Sequence, residues 1–110
     1  MATISASDLV GPILAAFKGS FQERWPQIKD YAEGEGKKLA HSLEQIIQLR
    51  TTGQISDAEC GILLEMQRNT TRAVLLALEG MALLLVEQAI NAALGAVRDA
   101  VNGAIGFIFL

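Results

Sequence analysis

Apolar side chains recur every three or four residues along the middle of the chain. Between residues 27 and 52 the apolar positions are Ile28, Ala32, Leu39, Leu43, Ile46 and Ile47. The intervening positions are mostly charged or polar, so this spacing predicts one amphipathic helix over about residues 26–52. Pro26 either begins this helix or kinks a longer one, and the sequence agrees with both arrangements.

A stop signal and a start signal for helices follow each other directly after this segment. Gly53 stands where a left-handed C-cap is favoured. Ser56 and Glu59 then form the spacing of a capping box, in which each side chain accepts a hydrogen bond from the other residue's backbone amide. Because so few residues separate the two signals, we predict two antiparallel helices in contact.

The apolar pattern after the turn predicts a second helix over about residues 57–104, interrupted at most by the polar run 67–72. Near the start of the chain, Ser7 is a candidate N-cap for a short helix over about residues 8–18. The sequence therefore predicts an all-α fold for residues 1–110. We expect a single helical domain, built as a long antiparallel αα-hairpin with a short N-terminal helix.

The two predicted arms differ in length, since the first would extend roughly 40 Å and the second roughly 70 Å. The stretch from Glu87 to Leu110 then has no cover from the first arm, and two helices alone enclose no interior. This imbalance predicts an oligomeric helical bundle, in which copies cover one another. Residues 2–25 are the alternative cover from within the chain.

Small residues repeat at four-residue steps late in the second arm, which favours close contact between helices. The last residues are strongly apolar, and we expect them to insert between neighbouring subunits. The predicted oligomer interface comprises Leu84, Leu85, Ala92, Ala93, Ala96, Ala100, Ala104, Phe107 and Phe109. The alternative is that the small residues form a seam with the N-terminal segment of the same chain.

Charge and composition narrow the function classes. The formal net charge is −3, and no stretch is dense in lysine or arginine, so a nucleic-acid partner is not expected. The N-terminus lacks the basic region of a secretory signal, which makes a cytoplasmic location the default, although export independent of a signal peptide would leave no trace. Cys60 is the lone cysteine and is expected to be a small core residue.

Candidate catalytic groups are sparse. His41 precedes Glu44 by three residues, whereas helical di-metal sites place the glutamate first. Glu79 and Glu87 are about two helical turns apart, too far for a direct acid–base pair. We therefore expect no enzymatic activity, no catalytic residue, no metal or other cofactor, and no small-molecule substrate.

The leading functional hypothesis is a structural protein that self-assembles into a bundle, ring, tube or filament. A membrane-active oligomeric hairpin, forming a pore or resting on a membrane, is the alternative, because residues 73–97 are long enough to cross a bilayer. Glu79 and Glu87 fall within that stretch and argue against a simple span. A third hypothesis is an adaptor that binds a different protein through the same apolar face.

Overall fold

The part of the chain that the structure describes folds into four α-helices joined by short connections. The computed structural model describes residues 4–78, 80–106 and 109–110. Its helices are α1 (Ala6–Phe21), α2 (Trp25–Thr51), α3 (Asp57–Leu76) and α4 (Leu83–Ile105), with one 3₁₀ turn at Gln22–Arg24. No strand occurs within those ranges. The predicted all-α class is confirmed.

Helix α1 is longer at both ends than the predicted range of 8–18. Its N-cap is Ser5 rather than Ser7, because the Asp8 carboxylate accepts hydrogen bonds from the Ser5 amide at 3.1 Å and from the Ser5 hydroxyl at 3.0 Å. The helix continues to Phe21 because Phe17 and Phe21, one turn apart, are both buried. Burial of this aromatic face outweighs the weak helix propensity of the intervening glycine and serine.

This N-terminal cap predicts a pH dependence. The two hydrogen bonds from Ser5 lower the pKa of Asp8 from its ordinary value of 3.8. A lowered pKa in the folded state gives a stability contribution that is complete above the unfolded pKa and is lost as pH falls through the folded pKa. We expect wild type to melt at a higher temperature than an Asp8→Asn variant at about pH 7, and the difference to shrink as the pH falls below the ordinary pKa of 3.8. Thermal melting followed by circular dichroism measures this; a pH-independent difference would contradict it.

A tight corner connects α1 to α2 and settles the position of Pro26. Gln22 has a φ of 49°, which turns the chain out of α1. Helix α2 then begins at Trp25, and Pro26 occupies its second position. A proline there costs little, since the first amides of a helix have no intrahelical acceptor. Pro26 therefore begins the second helix and does not kink a continuous one.

The turn between α2 and α3 uses the signals present in the sequence. Gly53 has a φ of 76°, in the left-handed region that glycine adopts without strain. The Ser56 amide donates to Glu59 Oε1 at 3.0 Å, and the Glu59 amide donates to Ser56 Oγ at 3.2 Å. Farther along, Ser42 of α2 donates to Gln67 of α3 at 2.7 Å, as expected for two helices that run antiparallel from this turn.

The prediction of one continuous helix over 57–104 is wrong. Helix α3 ends at Leu76, and α4 starts at Leu83. Gly80, with a φ of 77°, lies in this break. The polar run 67–72, by contrast, is continuous helix, and Gln67 spans from Ser42 to Thr71 by donating to the buried Thr71 hydroxyl at 3.0 Å. The structure therefore does not confirm the long hairpin.

The break lets α4 fold back, and α1 covers it. Its inward side is buried at Val86, Ala89, Ile90, Ala93, Leu94, Val97, Val101, Ala104 and Ile105. On α1, the side chains of Leu9, Ile13 and Phe17 are at most 1% exposed and belong to the same core. The expectation that one copy leaves the region after Glu87 uncovered is therefore wrong for this inward side, because the N-terminal segment supplies the cover. The resulting bundle measures 42 × 22 × 19 Å.

Candidate functional site

The outward side of α4 is an exposed surface that no other described helix covers. We define the α4 outer face by its exposed residues Leu84, Gln88, Ala92, Gly95, Ala96, Asp99, Ala100 and Gly103. Leu84 is 69% exposed. Most of the other members are alanine or glycine, so the backbone of α4 is accessible along this face.

Charge distinguishes this face from the exposed side of α2. The exposed side of α2 carries Lys29, Asp30, Lys37, Lys38 and His41. The whole of α4 has three charged residues, Glu87, Arg98 and Asp99. Glu87 is half-buried in an ion pair with Arg72 of α3. The exposed charges of α4 are therefore confined to the adjacent residues Arg98 and Asp99.

The predicted interface residues divide between the two sides of α4. Leu84, Ala92, Ala96 and Ala100 are exposed on the outer face, Leu85 is half-buried, and Ala93 and Ala104 are buried. A step of four residues turns a helix about 40° beyond a full turn, so the row that starts at Ala92 reaches the core by Ala104. Ala93 and Ala104 therefore pack within the chain and do not face a second copy. The existence of an interface stays a prediction.

The C-terminal residues contact their own chain. The amides of Phe109 and Leu110 donate to Asn102 Oδ1 at 2.9 and 2.8 Å. Both side chains are half-buried and pack against the core. Phe107, also predicted at the interface, lies outside the described residues. For Phe109, cover thus comes from within the chain, and the structure gives no support for its insertion between subunits.

Sequence reasoning missed Leu83, which is 55% exposed at the start of α4. In a continuous helix Leu83 would lie in mid-helix beside buried neighbours. The observed α4 instead begins at Leu83 and leaves this side chain exposed in its first turn. Gly80 is the signal that could have found it, since a glycine in an apolar run can end a helix. Leu83 and Leu84 together form the most exposed apolar pair of α4.

Of the residues considered for catalysis, Glu44 and Glu87 make contacts within the fold, and Glu79 lies outside the described residues. Glu44 does not face a metal with His41, because its Oε2 accepts a hydrogen bond from the Ala6 amide at 2.6 Å and so caps the start of α1. Among the described residues, no three His, Cys, Asp or Glu side chains converge as metal ligands would. Cys60 is buried, and burial raises the pKa of its thiol, which favours the protonated and unreactive form.

Glu35 is the one acidic side chain buried in the described part of the chain. Its Oε1 accepts a hydrogen bond from Lys38 Nζ at 3.2 Å, while its Oε2 is buried and has no hydrogen-bond partner there. A buried carboxylate oxygen without a donor costs free energy that an apolar side chain of similar length does not.

Replacing Glu35 with methionine should therefore stabilise the fold. We expect the free energy of unfolding to rise by about 1 kcal/mol, because the unpaired oxygen is removed and only an exposed lysine loses its partner. Urea denaturation measures the change. Glu23→Met, at an exposed position, is the control and should stay within about 0.5 kcal/mol of wild type. A destabilised Glu35→Met variant would show that the carboxylate contributes favourably.

Along the described ranges, no helix combines the length and the apolar character required to cross a membrane. Comparison of the sequence with protein-family models and with curated proteins finds no match, and comparison with solved structures finds none either.

Proposed function

We propose that this protein is a structural protein that self-assembles, and that its copies pack through the α4 outer face. The observation that supports the proposal is the contrast between the exposed sides of α2 and α4. Solvent-facing helix surfaces ordinarily carry charged side chains, as α2 does. The outer face of α4 instead has small and apolar residues over most of its length, which is typical of a surface buried against another helix.

The shape of this face agrees with helix-to-helix contact. Ala92, Ala96 and Ala100 have side chains no larger than a methyl group, so a second helix can approach closely and gain many dispersion contacts. Leu84 adds a larger apolar side chain near the start of the helix. Asp99 and Gln88 are the polar members near this row, and either can lie at the edge of a contact and remain hydrated.

A second copy is the partner that we favour, because most soluble oligomers consist of identical chains related by symmetry. A patch that pairs with itself gives a closed dimer, whereas a patch that meets a different surface gives rings or open filaments. The small residues favour close packing in either case.

Negative-stain microscopy of detergent-free protein tests the proposal. Regular particles or fibres in plain buffer are the expected result. Ordered particles that form only on liposomes or in detergent would favour the alternative, a membrane-active oligomer. Dispersed single chains under all conditions would contradict both and would leave the adaptor hypothesis, in which the same face binds a different protein.

A further inference from the structure

A cleft between α3 and α4, separate from the α4 outer face, has the composition of a binding site. It has a volume of about 310 Å³. Its lining consists of Leu64, Glu65, Arg68, Asn91, Leu94, Arg98, Phe109 and Leu110. That size falls at the lower end of the range of small-molecule sites.

Part of the lining of the cleft is apolar. Leu64 of α3 and Leu94 of α4 are 7% and 5% exposed. The half-buried side chains of Phe109 and Leu110 add apolar surface. An apolar chain of several carbon atoms would bury surface against these side chains.

Two guanidinium groups, one from each helix, line the same cleft. Arg68 donates to Asn91 Oδ1 at 2.9 Å, and its buried Nε has no hydrogen-bond acceptor, since the nearest carboxylate oxygen of Glu65 is 3.8 Å away. Arg98 forms no ion pair with any of the described residues, and one of its terminal nitrogens lies beside Gly95. Arg98 is therefore a cation available to a ligand.

We propose that this cleft binds an amphipathic carboxylate, a medium-chain fatty acid of about eight carbons. The carboxylate pairs with the guanidinium of Arg98, whose planar donors match its two oxygens. The alkyl chain lies against the half-buried side chains of Phe109 and Leu110. Glu65 has the one acidic side chain of the lining, and this side chain is 64% exposed, so water screens its repulsion of the ligand. This proposal does not depend on self-assembly.

Isothermal titration with sodium octanoate tests it. We expect saturable binding of one octanoate per chain. Acetate lacks the chain and octan-1-ol lacks the charge, so each should bind at least about tenfold more weakly. Equal binding of octan-1-ol would overturn the proposal, because the arginines would then have no role. So would the absence of binding up to about 5 mM octanoate.

Variants localise the binding. Arg98→Met replaces the guanidinium with an uncharged side chain of similar length at an exposed position. This variant should bind octanoate at least about tenfold more weakly. Arg24→Met is the matched control, since Arg24 is also exposed and lies outside the cleft, and its affinity should equal that of wild type. Circular dichroism verifies that both variants fold. Unchanged affinity in Arg98→Met would contradict the assignment.

Discussion

Replacing Phe17 with alanine is expected to lower the free energy of unfolding by about 3–5 kcal/mol. Phe17 is fully buried in the second half of α1, and its ring lies edge-on to that of Phe21 with centroids 6.0 Å apart. Truncation removes both the buried apolar area and this aromatic contact, and it leaves a cavity in the core between α1 and its neighbours.

The close approach of α1 to α2 makes this site sensitive. A Cβ atom added to Gly36 of α2 would lie 2.6 Å from Leu14 Cδ2 and 3.5 Å from Phe17. Only glycine fits this contact without movement of Leu14, so the two helices already meet closely there. Further collapse around an alanine at position 17 is therefore limited, and the cavity persists.

Urea denaturation followed by circular dichroism measures the effect of Phe17→Ala. Both proteins are compared at the same low protein concentration, so that self-assembly contributes little to the difference. Tyr31→Ala is the matched control, because Tyr31 is an aromatic residue of α2 that is 64% exposed. The control should change stability by no more than about 0.5 kcal/mol. If Phe17→Ala lowers the free energy of unfolding by less than about 1 kcal/mol, then α1 does not cover the core as described.

Replacing Ala96 and Ala100 together with arginine is expected to weaken association between copies by at least about a hundredfold. Both positions are exposed in the single chain, so the variant should fold. In an assembled α4 outer face, each arginine would clash with the approaching backbone and bury an unpaired charge, at a cost of at least about 1.4 kcal/mol apiece. Size-exclusion chromatography with light scattering measures the resulting loss of mass.

The control for this experiment adds the same charge elsewhere. Ala58 and Ala73 are exposed alanines of α3, so Ala58→Arg with Ala73→Arg matches the change in composition and net charge. This control should assemble as wild type does. If both double variants assemble to the same extent, the α4 outer face is not the contact; if both dissociate, net charge rather than the face controls association.

The parts of the fold that the sequence predicted depend on local chemistry. The capping box of Ser56 and Glu59, the left-handed Gly53 and the amphipathic period of α2 each arise from residues within a few positions of one another. Such signals act before tertiary contacts form. For this reason the bounds of α2 differ from those predicted by one residue at either end.

The parts that it did not predict depend on tertiary contacts. A lone glycine in an apolar run is compatible with continuous helix, whereas Gly80 lies in the break that lets α4 fold back against α1. Glu44 reaches the amide of Ala6, which is 38 residues away in the chain, and no local pattern shows this. Among the interface candidates, the exposed positions Ala92, Ala96 and Ala100 followed from helical spacing. Ala104 is buried because each further step of four residues turns this row toward the core.

Sedimentation velocity of the wild-type protein, without detergent and at roughly 1–100 µM, tests the central claim most directly. The claim is that copies associate through a face of α4 that their own chain leaves open. We expect a sedimentation coefficient that rises with concentration, toward species heavier than the 11.8 kDa chain. A single species of 11.8 kDa across the whole range would contradict it.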